Sequence, residues 1–303
     1  MIDYILHWIN SIYFFIIALT LLSYFCIIIN PLLWIPFIIY CIYIITSYPS
    51  FTEINIYRKI RNNIYSMIPT MANNKFKMEG IDNIKELSSP AIFGFHPHGL
   101  TSLTRVFFCV NQTTEIYQKH LNNAYHAAHS LLFKVPILRE FLLLGGAIPV
   151  SESYIRHYLS KGNSITITPG GAREMKYTHD KYHTAGETYH IIPRKGIAKI
   201  AKSMNIPMIP IYTDGERQLF SYTESPFILT LMDKIIEAFT KKKSDSNMIQ
   251  ILYPSNIMKW HNLYSSNDTI TTTYIGKPTK TYTGYIDELK SLCKQANVNV
   301  KEI

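Results

Sequence analysis

Charge is almost absent from the start of this sequence. Between Tyr4 and Thr46 there is no Asp, Glu, Lys or Arg, and only Asn30 and Pro31 interrupt the apolar run near its middle. A secretory signal has a basic start and a much shorter apolar core, so the pattern argues against one. At ~1.5 Å per residue, the limb before Asn30 is long enough to cross a bilayer, whereas the limb after Pro31 reaches only about 22 Å.

We therefore predict that residues 1–46 form a hydrophobic membrane hairpin with Asn30 and Pro31 at its tip. The hairpin either makes two spans or re-enters the leaflet from which it came. Arg58, Lys59 and Arg61 follow closely, so the positive-inside tendency places residues 47–303 on the cytosolic side. The alternative is a buried helical hairpin of a soluble protein.

Cysteine is also scarce, and no serine-hydrolase motif is present. The four cysteines have no paired spacing that would indicate a disulfide framework or a zinc site, which favours a reducing compartment. No G-x-S-x-G elbow occurs, which argues against a serine nucleophile and an acyl-enzyme. The cysteines are Cys26, Cys41, Cys109 and Cys293.

What the sequence does contain is hydrophobic residues, at 47% of its 303 positions, and an excess of basic ones. A chain of this size can bury one large core. Its 30 basic and 21 acidic residues give a net charge of +9, which suits anionic partners such as membrane lipid, a phosphorylated cofactor or nucleic acid. Charge alone does not choose among them.

After residue 47 the pattern alternates between short strands and amphipathic helices, which predicts an α/β fold with helices packed on a sheet. The predicted strands are Ala91 to Phe95, Ser164 to Thr168, Pro207 to Tyr212, Met248 to Tyr253 and Thr271 to Ile275. The predicted helices lie near Thr101 to Val110, Ser153 to Ser160, Lys195 to Met204, Phe227 to Thr240 and Tyr285 to Gln295.

The segment AIFGFHPHGL at residues 91–100 is the first candidate site. An apolar strand runs directly into His96 and His98, which flank a proline and precede a helical pattern. Because alternate residues of a strand share a face, both imidazoles are expected on one side. His98 also precedes a helix N-terminus, whose positive end disfavours imidazolium and so helps to keep a base neutral. Histidines that merely close a strand are the alternative.

A second candidate is PGGARE at 169–174, after the strand Ser164 to Thr168. Gly170 and Gly171 allow the backbone to approach a ligand and offer amide donors for an oxyanion. Glu174 could orient an imidazole or accept a hydrogen bond from a substrate hydroxyl.

The third candidate is a basic helix that opens with Arg194 and Lys195. Lys195, Lys199 and Lys202 share one face at helical spacing, opposite an apolar face. Such a face is usually just solvated, but beside a site that uses a phosphorylated cofactor it would bind phosphate.

In this order, the motifs resemble the type-2 diacylglycerol acyltransferase family, which includes monoacylglycerol and wax-alcohol acyltransferases. The resemblance runs from the hairpin to near the C-terminus. It is carried by FHPHG at 95–99, PILREFLLLGGAIPVS at 136–151, PGGARE at 169–174, RKGIAKIA at 194–201, IPMIPIYTDGE at 206–216 and TYIGKPT at 273–279.

The resemblance implies a glycerolipid-acyltransferase-like catalytic domain at the endoplasmic reticulum membrane, facing the cytosol. It implies acyl-CoA as co-substrate, no permanently bound cofactor, no metal and no nucleic-acid partner. Diacylglycerol is the expected acceptor, with monoacylglycerol or a wax alcohol as alternatives, and the oligomeric state stays open. The motif histidines fall on His96 and His98, the acidic residue on Glu174, and the basic element on Arg194 and Lys195.

An alcohol needs a base near its hydroxyl and donors for the tetrahedral oxyanion. We therefore predict His98 as the base, Glu174 as the carboxylate that orients it, Gly170 and Gly171 as oxyanion donors, and His96 as a positioning group.

Two alternatives come from other classes. In a metal-dependent, membrane-anchored hydrolase, the two histidines would bind zinc with further ligands from His120, His126 or His129. A non-catalytic scaffold would instead use the basic face to bind anionic lipid.

Overall fold

The protein is described by a computed structural model over residues 22–47, 49–50, 56–61, 76–87, 90–98, 105, 124–171, 174, 188–191, 194–216 and 271–302. The chain divides into two compact units, Met1–Ala72 with Val110–Ile165 and Asn73–Cys109 with Thr166–Ile303. This division follows contacts in space. The predicted boundary after residue 46 marks a change of composition and stays a prediction.

The described strands are β1 (Phe76–Glu79), β2 (Ile92–His96), β3 (Tyr125–Ala128), β4 (Ala147–Pro149), β5 (Ile165–Ile167), β6 (Thr188–Ile191), β7 (Met208–Asp214), β8 (Thr271–Ile275) and β9 (Asn299–Glu302). The helices used below are α1 (Leu22–Ile29), α2 (Trp34–Thr46), α3 (Leu138–Leu144), α4 (Glu152–Ser160), α5 (Lys195–Met204) and α6 (Tyr282–Gln295). Short 3-10 segments occur at Pro31–Leu33, Ile81–Ile84 and Ser130–Lys134.

In the first unit, α1 and α2 meet at the predicted break. The Asn30 side chain accepts a hydrogen bond from the Leu32 N–H at 3.1 Å, and Pro31 occupies the first position of the next turn. The two helices are bent by 107°; together they have the length and composition of a membrane span. No single helix within the described residues is long and apolar enough to cross a membrane.

The helix pair exposes large apolar side chains and is held at its polar end. Leu32 is 85% exposed and Ile35 71% exposed. At the other end of α2, the Lys134 ammonium donates hydrogen bonds to the backbone carbonyls of Ile45 at 2.6 Å and Ser47 at 3.1 Å. A cation is favourable there because the last carbonyls of a helix lack intrahelical partners and carry partial negative charge.

The rest of the first unit packs α3 and α4 with a parallel pair of strands, β3 and β4. The main-chain N–H of Tyr125, at the start of β3, donates to the Ser164 carbonyl at 3.0 Å. The core of the unit consists of apolar side chains: Ile44, Phe133, Ile148, Ile155 and Leu159.

The second unit is built on strands in the order β1-β8-β7-β2-β5. β2 and β7 are parallel neighbours, β7 and β8 are antiparallel, and β1 and β8 are parallel. All five residues of β2 are buried, as expected for a strand inside a sheet that is covered on both faces. α6 packs against β7, and β6 pairs with β9 in a separate parallel ribbon. β2 therefore ends, with His96, inside the core of this unit.

The predicted α/β class is confirmed, as are most of the predicted elements. The strands near Ala91 to Phe95, Ser164 to Thr168, Pro207 to Tyr212 and Thr271 to Ile275 are present, with α4, α5 and α6. The predicted strand Met248 to Tyr253 and helix Phe227 to Thr240 lie outside the described residues, as does the helix Thr101 to Val110 apart from Arg105. β1, β3, β4, β6 and β9 were not predicted, because three or four residues are too few to show a period.

Candidate active site

His96 is the last residue of β2, and its side chain has no solvent exposure. Its ring Nδ1 lies 3.0 Å from both carboxylate oxygens of Glu174, whose side chain is equally buried. A carboxylate accepts hydrogen bonds, so this contact places a hydrogen on Nδ1. A buried polar group is costly unless it is paired, and here each group satisfies the other.

Glu174 also contacts His98, but through the main chain. The His98 N–H donates to Glu174 Oε1 at 2.9 Å, and the His98 side chain is half-buried. Glu174 thus contacts the ring of His96 and the main chain of His98. Its predicted role in orienting the His98 ring stays a prediction. β2 ends at His96, so the alternation of a strand does not extend to His98.

The second nitrogen of the His96 ring meets a residue that the sequence did not suggest. Nε2 lies 3.0 Å from the hydroxyl of Tyr285, which sits in the first turn of α6. The Thr281 side chain caps this helix by accepting from the Gly284 N–H at 3.1 Å. Burial, and then the negative charge of Glu174, raise the pKa of Tyr285 well above its ordinary value, so the phenol keeps its proton.

Cys293 lies two turns further along α6, close enough for the charge of Glu174 to affect the pKa of its thiol. It is 1% exposed, and burial followed by the charge of Glu174 raises the pKa of its thiol to about 12. A thiol is nucleophilic only as the thiolate, so Cys293 is not an activated nucleophile.

The two glycines of the PGG turn have different surroundings. At Gly170, a Cβ atom would overlap the Glu174 side chain, so the glycine makes room for the carboxylate. The Gly171 N–H donates to the Thr168 carbonyl at 3.1 Å. That amide takes part in a turn, in which Gly171 has a left-handed φ of 58°. Its predicted role as an oxyanion donor stays a prediction.

The basic helix has the predicted bounds, Lys195–Met204. Its apolar face is buried, whereas Arg194, Lys195, Lys199 and Lys202 are exposed. A Cβ atom on Gly171 would lie 3.8 Å from the Arg194 guanidinium, so this end of the helix adjoins the PGG turn. The Lys195 ammonium lies 5.6 Å from the centre of the Tyr282 ring, within the range of a cation–π contact.

The structure therefore brings together His96, His98, Glu174 and Gly170, and it sets Arg194 beside Gly171. Tyr285 was missed because its contact with His96 joins residues 189 positions apart, which no local pattern reveals. The glycine inside β2 was the available signal, since a glycine within a strand often marks a close approach by another group.

The alternative of a metal-dependent hydrolase gains no support from the part of the chain that the structure describes. Within those residues, no three or more His, Cys, Asp and Glu side chains are grouped so that they could hold an ion. His120 lies outside the described residues, and His129 caps a 3-10 segment by accepting from the Leu131 N–H at 3.3 Å.

The fold and the site define an α/β protein with a buried histidine–carboxylate pair at the end of a central strand. The family model named diacylglycerol acyltransferase matches residues 27–253, well over half of the sequence. The chain belongs to the diacylglycerol acyltransferase family. The predicted resemblance is confirmed, and with it the acyltransferase class at the level of the family.

Curated relatives agree with this assignment. The chain is 35% identical over 133 residues to diacylglycerol O-acyltransferase 2 of Homo sapiens, covering 43% of this chain and 33% of that protein. It is 33% identical over 133 residues to the protein of the same name from Xenopus laevis, covering 43% and 36%. It is 33% identical over 141 residues to 2-acylglycerol O-acyltransferase 1 of Bos taurus, covering 45% and 40%. The matched region thus spans two fifths or less of each of these relatives.

Among solved structures, the chain matches the 1-acyl-sn-glycerophosphate acyltransferase PlsC from Thermotoga maritima. The match covers 80% of this chain and 75% of that one, at 13% identity and a TM-score of 0.39. At that score the likeness carries no argument about the site.

Proposed function

We propose that this chain is a membrane-bound O-acyltransferase that moves a fatty acyl group from acyl-CoA to an apolar alcohol, with diacylglycerol as the favoured acceptor. The observation that carries the proposal is the contact of Glu174 with both the His96 ring and the His98 main chain. It supports a site built around the HPH segment of a chain that belongs to the diacylglycerol acyltransferase family.

In this proposal His98 is the general base. The proton of the acceptor hydroxyl passes to its imidazole while the hydroxyl oxygen attacks the thioester carbonyl carbon. The carbon–sulfur bond then breaks, and the CoA thiolate leaves with the proton that His98 held. Products are the ester and free CoA, and no acyl-enzyme forms.

His98 is favoured over His96 because a base must reach its substrate. The His96 side chain has no exposure and both of its ring nitrogens have partners, whereas His98 is half-buried. His96 and Glu174 are positioning residues: the carboxylate holds the His96 ring and fixes the His98 main chain. The amide of Gly170 remains the proposed oxyanion donor.

Arg194, Lys195, Lys199 and Lys202 supply the site for the phosphates of CoA. All four are exposed, and α5 begins at Lys195, so its N-terminal end adds the positive pole of the helix to their charge. Arg194 adjoins the PGG turn, which supports delivery of the thioester next to Glu174.

The charge-free helices α1 and α2 anchor the chain in the endoplasmic reticulum membrane, with residues 47–303 facing the cytosol. Their exposed apolar residues support this placement. If it is right, the chain stays with microsomes through high-salt washing, and a C-terminal tag is cut by protease in sealed microsomes. Release by salt or protection of the tag would contradict it.

The activity is tested with purified protein, labelled acyl-CoA and a panel of diacylglycerol, monoacylglycerol and a long-chain alcohol. We expect the highest turnover with diacylglycerol and little with His98→Ala. His157→Ala, a histidine change on α4 in the first unit, is the matched control and should behave as the parent.

Each alternative has a distinct outcome in the same assay. A preference for monoacylglycerol or the long-chain alcohol changes the acceptor but keeps the reaction. Hydrolysis of esters that EDTA abolishes indicates the metal-dependent hydrolase, and lipid binding with no turnover for any acceptor indicates the scaffold.

A further inference from the structure

The hydroxyl of Tyr285 closes a buried row of polar groups that begins at Glu174. It lies 3.0 Å from His96 Nε2 and 3.3 Å from the Gly94 carbonyl oxygen, either of which can accept its one hydrogen. Tyr285 is 3% exposed and His96 is not exposed, so water does not compete for these contacts. Tyr285 comes from α6, which lies beyond the residues 27–253 that match the family model.

This hydroxyl can serve both proton states of the His96 ring. When the ring is neutral with its hydrogen on Nδ1, Nε2 accepts from the phenol. When the ring is protonated, Nε2–H donates to the phenol oxygen and the phenol turns its own hydrogen to the Gly94 carbonyl. The two arrangements interconvert when the hydroxyl of Tyr285 rotates about its C–O bond, and no heavy atom has to move.

The backbone leaves space for this row at both of its ends. A Cβ atom at Gly94 would overlap the Tyr285 hydroxyl, and a Cβ atom at Gly170 would overlap the Glu174 carboxylate. Close approach of another group to the backbone is one of the reasons for a glycine. Two glycines on different elements therefore accommodate the two end members of one hydrogen-bonded row.

We propose that Tyr285 is a positioning residue for the acyl transfer proposed above, and that α6 completes the active site. Its hydroxyl holds the His96 ring against Glu174, so that the carboxylate keeps the His98 main chain in place. Without the Tyr285 hydroxyl, the buried Nε2 of His96 would lose a hydrogen-bond partner, and the ring would be held only through its contact with Glu174. Because Tyr285 acts through His96, its loss should slow turnover and leave substrate binding unchanged.

The test is Tyr285→Phe, which removes one oxygen and keeps the ring. We expect kcat to fall about tenfold, the effect of one hydrogen bond of ordinary strength, while both KM values stay within about twofold. The matched control is Tyr274→Phe, which removes a phenol hydroxyl from β8 in the same unit and should leave kcat unchanged. Normal kcat in a folded Tyr285→Phe protein, or an equal loss in Tyr274→Phe, would overturn the proposal.

A double-substitution cycle separates positioning from mere stability. In a Glu174→Gln background, where the row is already broken, Tyr285→Phe should cost little further kcat. A full tenfold loss in both backgrounds would mean that Tyr285 acts independently of the row and would overturn the role.

The proposal can still be tested if Tyr285→Phe fails to fold, and an inactive parent protein has a separate meaning. If Tyr285→Phe does not fold, 3-fluorotyrosine at position 285 keeps the ring and hydroxyl but changes the acidity of the hydroxyl. It should alter kcat at least threefold, and an unchanged kcat would refute the proposal. A parent protein without acyltransferase activity would instead refute the proposed function, and the positioning role would fall with it.

Discussion

Both carboxylate oxygens of Glu174 lie 3.0 Å from Nδ1 of His96, deep inside the second unit. One of the same oxygens accepts from the His98 main-chain N–H at 2.9 Å. A single carboxylate thus fixes the two histidines of HPH by different means, one through its ring and the other through its backbone. The proline between them separates these two contacts along the chain.

Glu174→Gln tests the carboxylate. An amide offers one oxygen and one NH₂ group, so one of the N–H donors from His96 or His98 would face another donor inside the core. We expect a loss of stability of about 1–3 kcal/mol and a fall in kcat on the order of 10²-fold. Thermal unfolding in detergent and steady-state kinetics measure the two effects. Glu152→Gln, at an exposed glutamate of α4, is the control, and equal effects in both variants would contradict the assignment.

The base is tested by combining substitutions. His98→Ala should lower kcat by ~10²- to 10⁴-fold without unfolding the protein, because the side chain is only half-buried. Adding Glu174→Gln should cost much less than its effect alone, since residues that act as a unit are not additive. His96→Ala should reduce kcat less than His98→Ala but should destabilise the fold more. Near-normal turnover in folded His98→Ala would exclude it as the base.

The local sequence pattern was sufficient to predict an element whose form depends only on the residues within it. The apolar run before His96 predicts β2 because a strand buried on both faces is apolar at every position and bounded by turn residues. The bounds of α5 follow from its alternating basic and apolar faces, and Asn205, in the left-handed conformation, ends it.

Pairings between distant elements could not be predicted in the same way. The contact of Glu174 with the buried ring of His96 was not predicted, since it joins the end of β2 to a residue 78 positions further along the chain. Tyr285 reads as an ordinary apolar-face residue of α6, since Ile286, Leu289 and Cys293 are buried beside it. Only the packing of α6 onto the sheet brings its hydroxyl to the histidine.

Gly170→Ala should be damaging although it adds only one methyl group. The new Cβ would overlap the Glu174 side chain, so either the carboxylate or the turn must move. We expect a loss of both stability and kcat. Gly196→Ala is the matched control, because it lies in the first turn of α5 and, apart from its chain neighbours and the backbone of its own helix, nothing lies within 4 Å of its Cβ position. That change should be neutral or stabilise by about 0.5–1 kcal/mol. Equal behaviour of the two variants would refute the steric argument.

Neutralising the basic face of α5 tests the proposed phosphate site. Lys199→Ala with Lys202→Ala should raise the KM for acyl-CoA and leave kcat and the acceptor KM nearly unchanged. The effect should shrink as salt rises from about 0.05 to 0.5 M, because salt screens the attraction in the parent. Lys161→Ala, an exposed lysine in the first unit, controls for the loss of positive charge. A change confined to the acceptor KM would assign these lysines to the lipid instead.

The thiol of Cys293 should make stability depend on pH in the alkaline range. Its pKa in the folded protein is raised to about 12, by burial first and then by Glu174, whereas an unfolded thiol has a pKa of ~8.5. The folded state therefore favours the protonated thiol, and the stability this contributes is fully present below about pH 8.5 and is lost as the pH rises towards 12.

Cys293→Ala loses buried volume at every pH but has no thiol to ionise. The difference in unfolding temperature between parent and variant should thus be largest near pH 8 and shrink by pH 11. Maleimide should label Cys293 at pH 8 only after unfolding. A temperature difference that stays constant from pH 8 to 11, or rapid labelling of Cys293 itself in the folded protein, would contradict a buried, protonated thiol at this position; Cys26 is exposed and is expected to be labelled in either case.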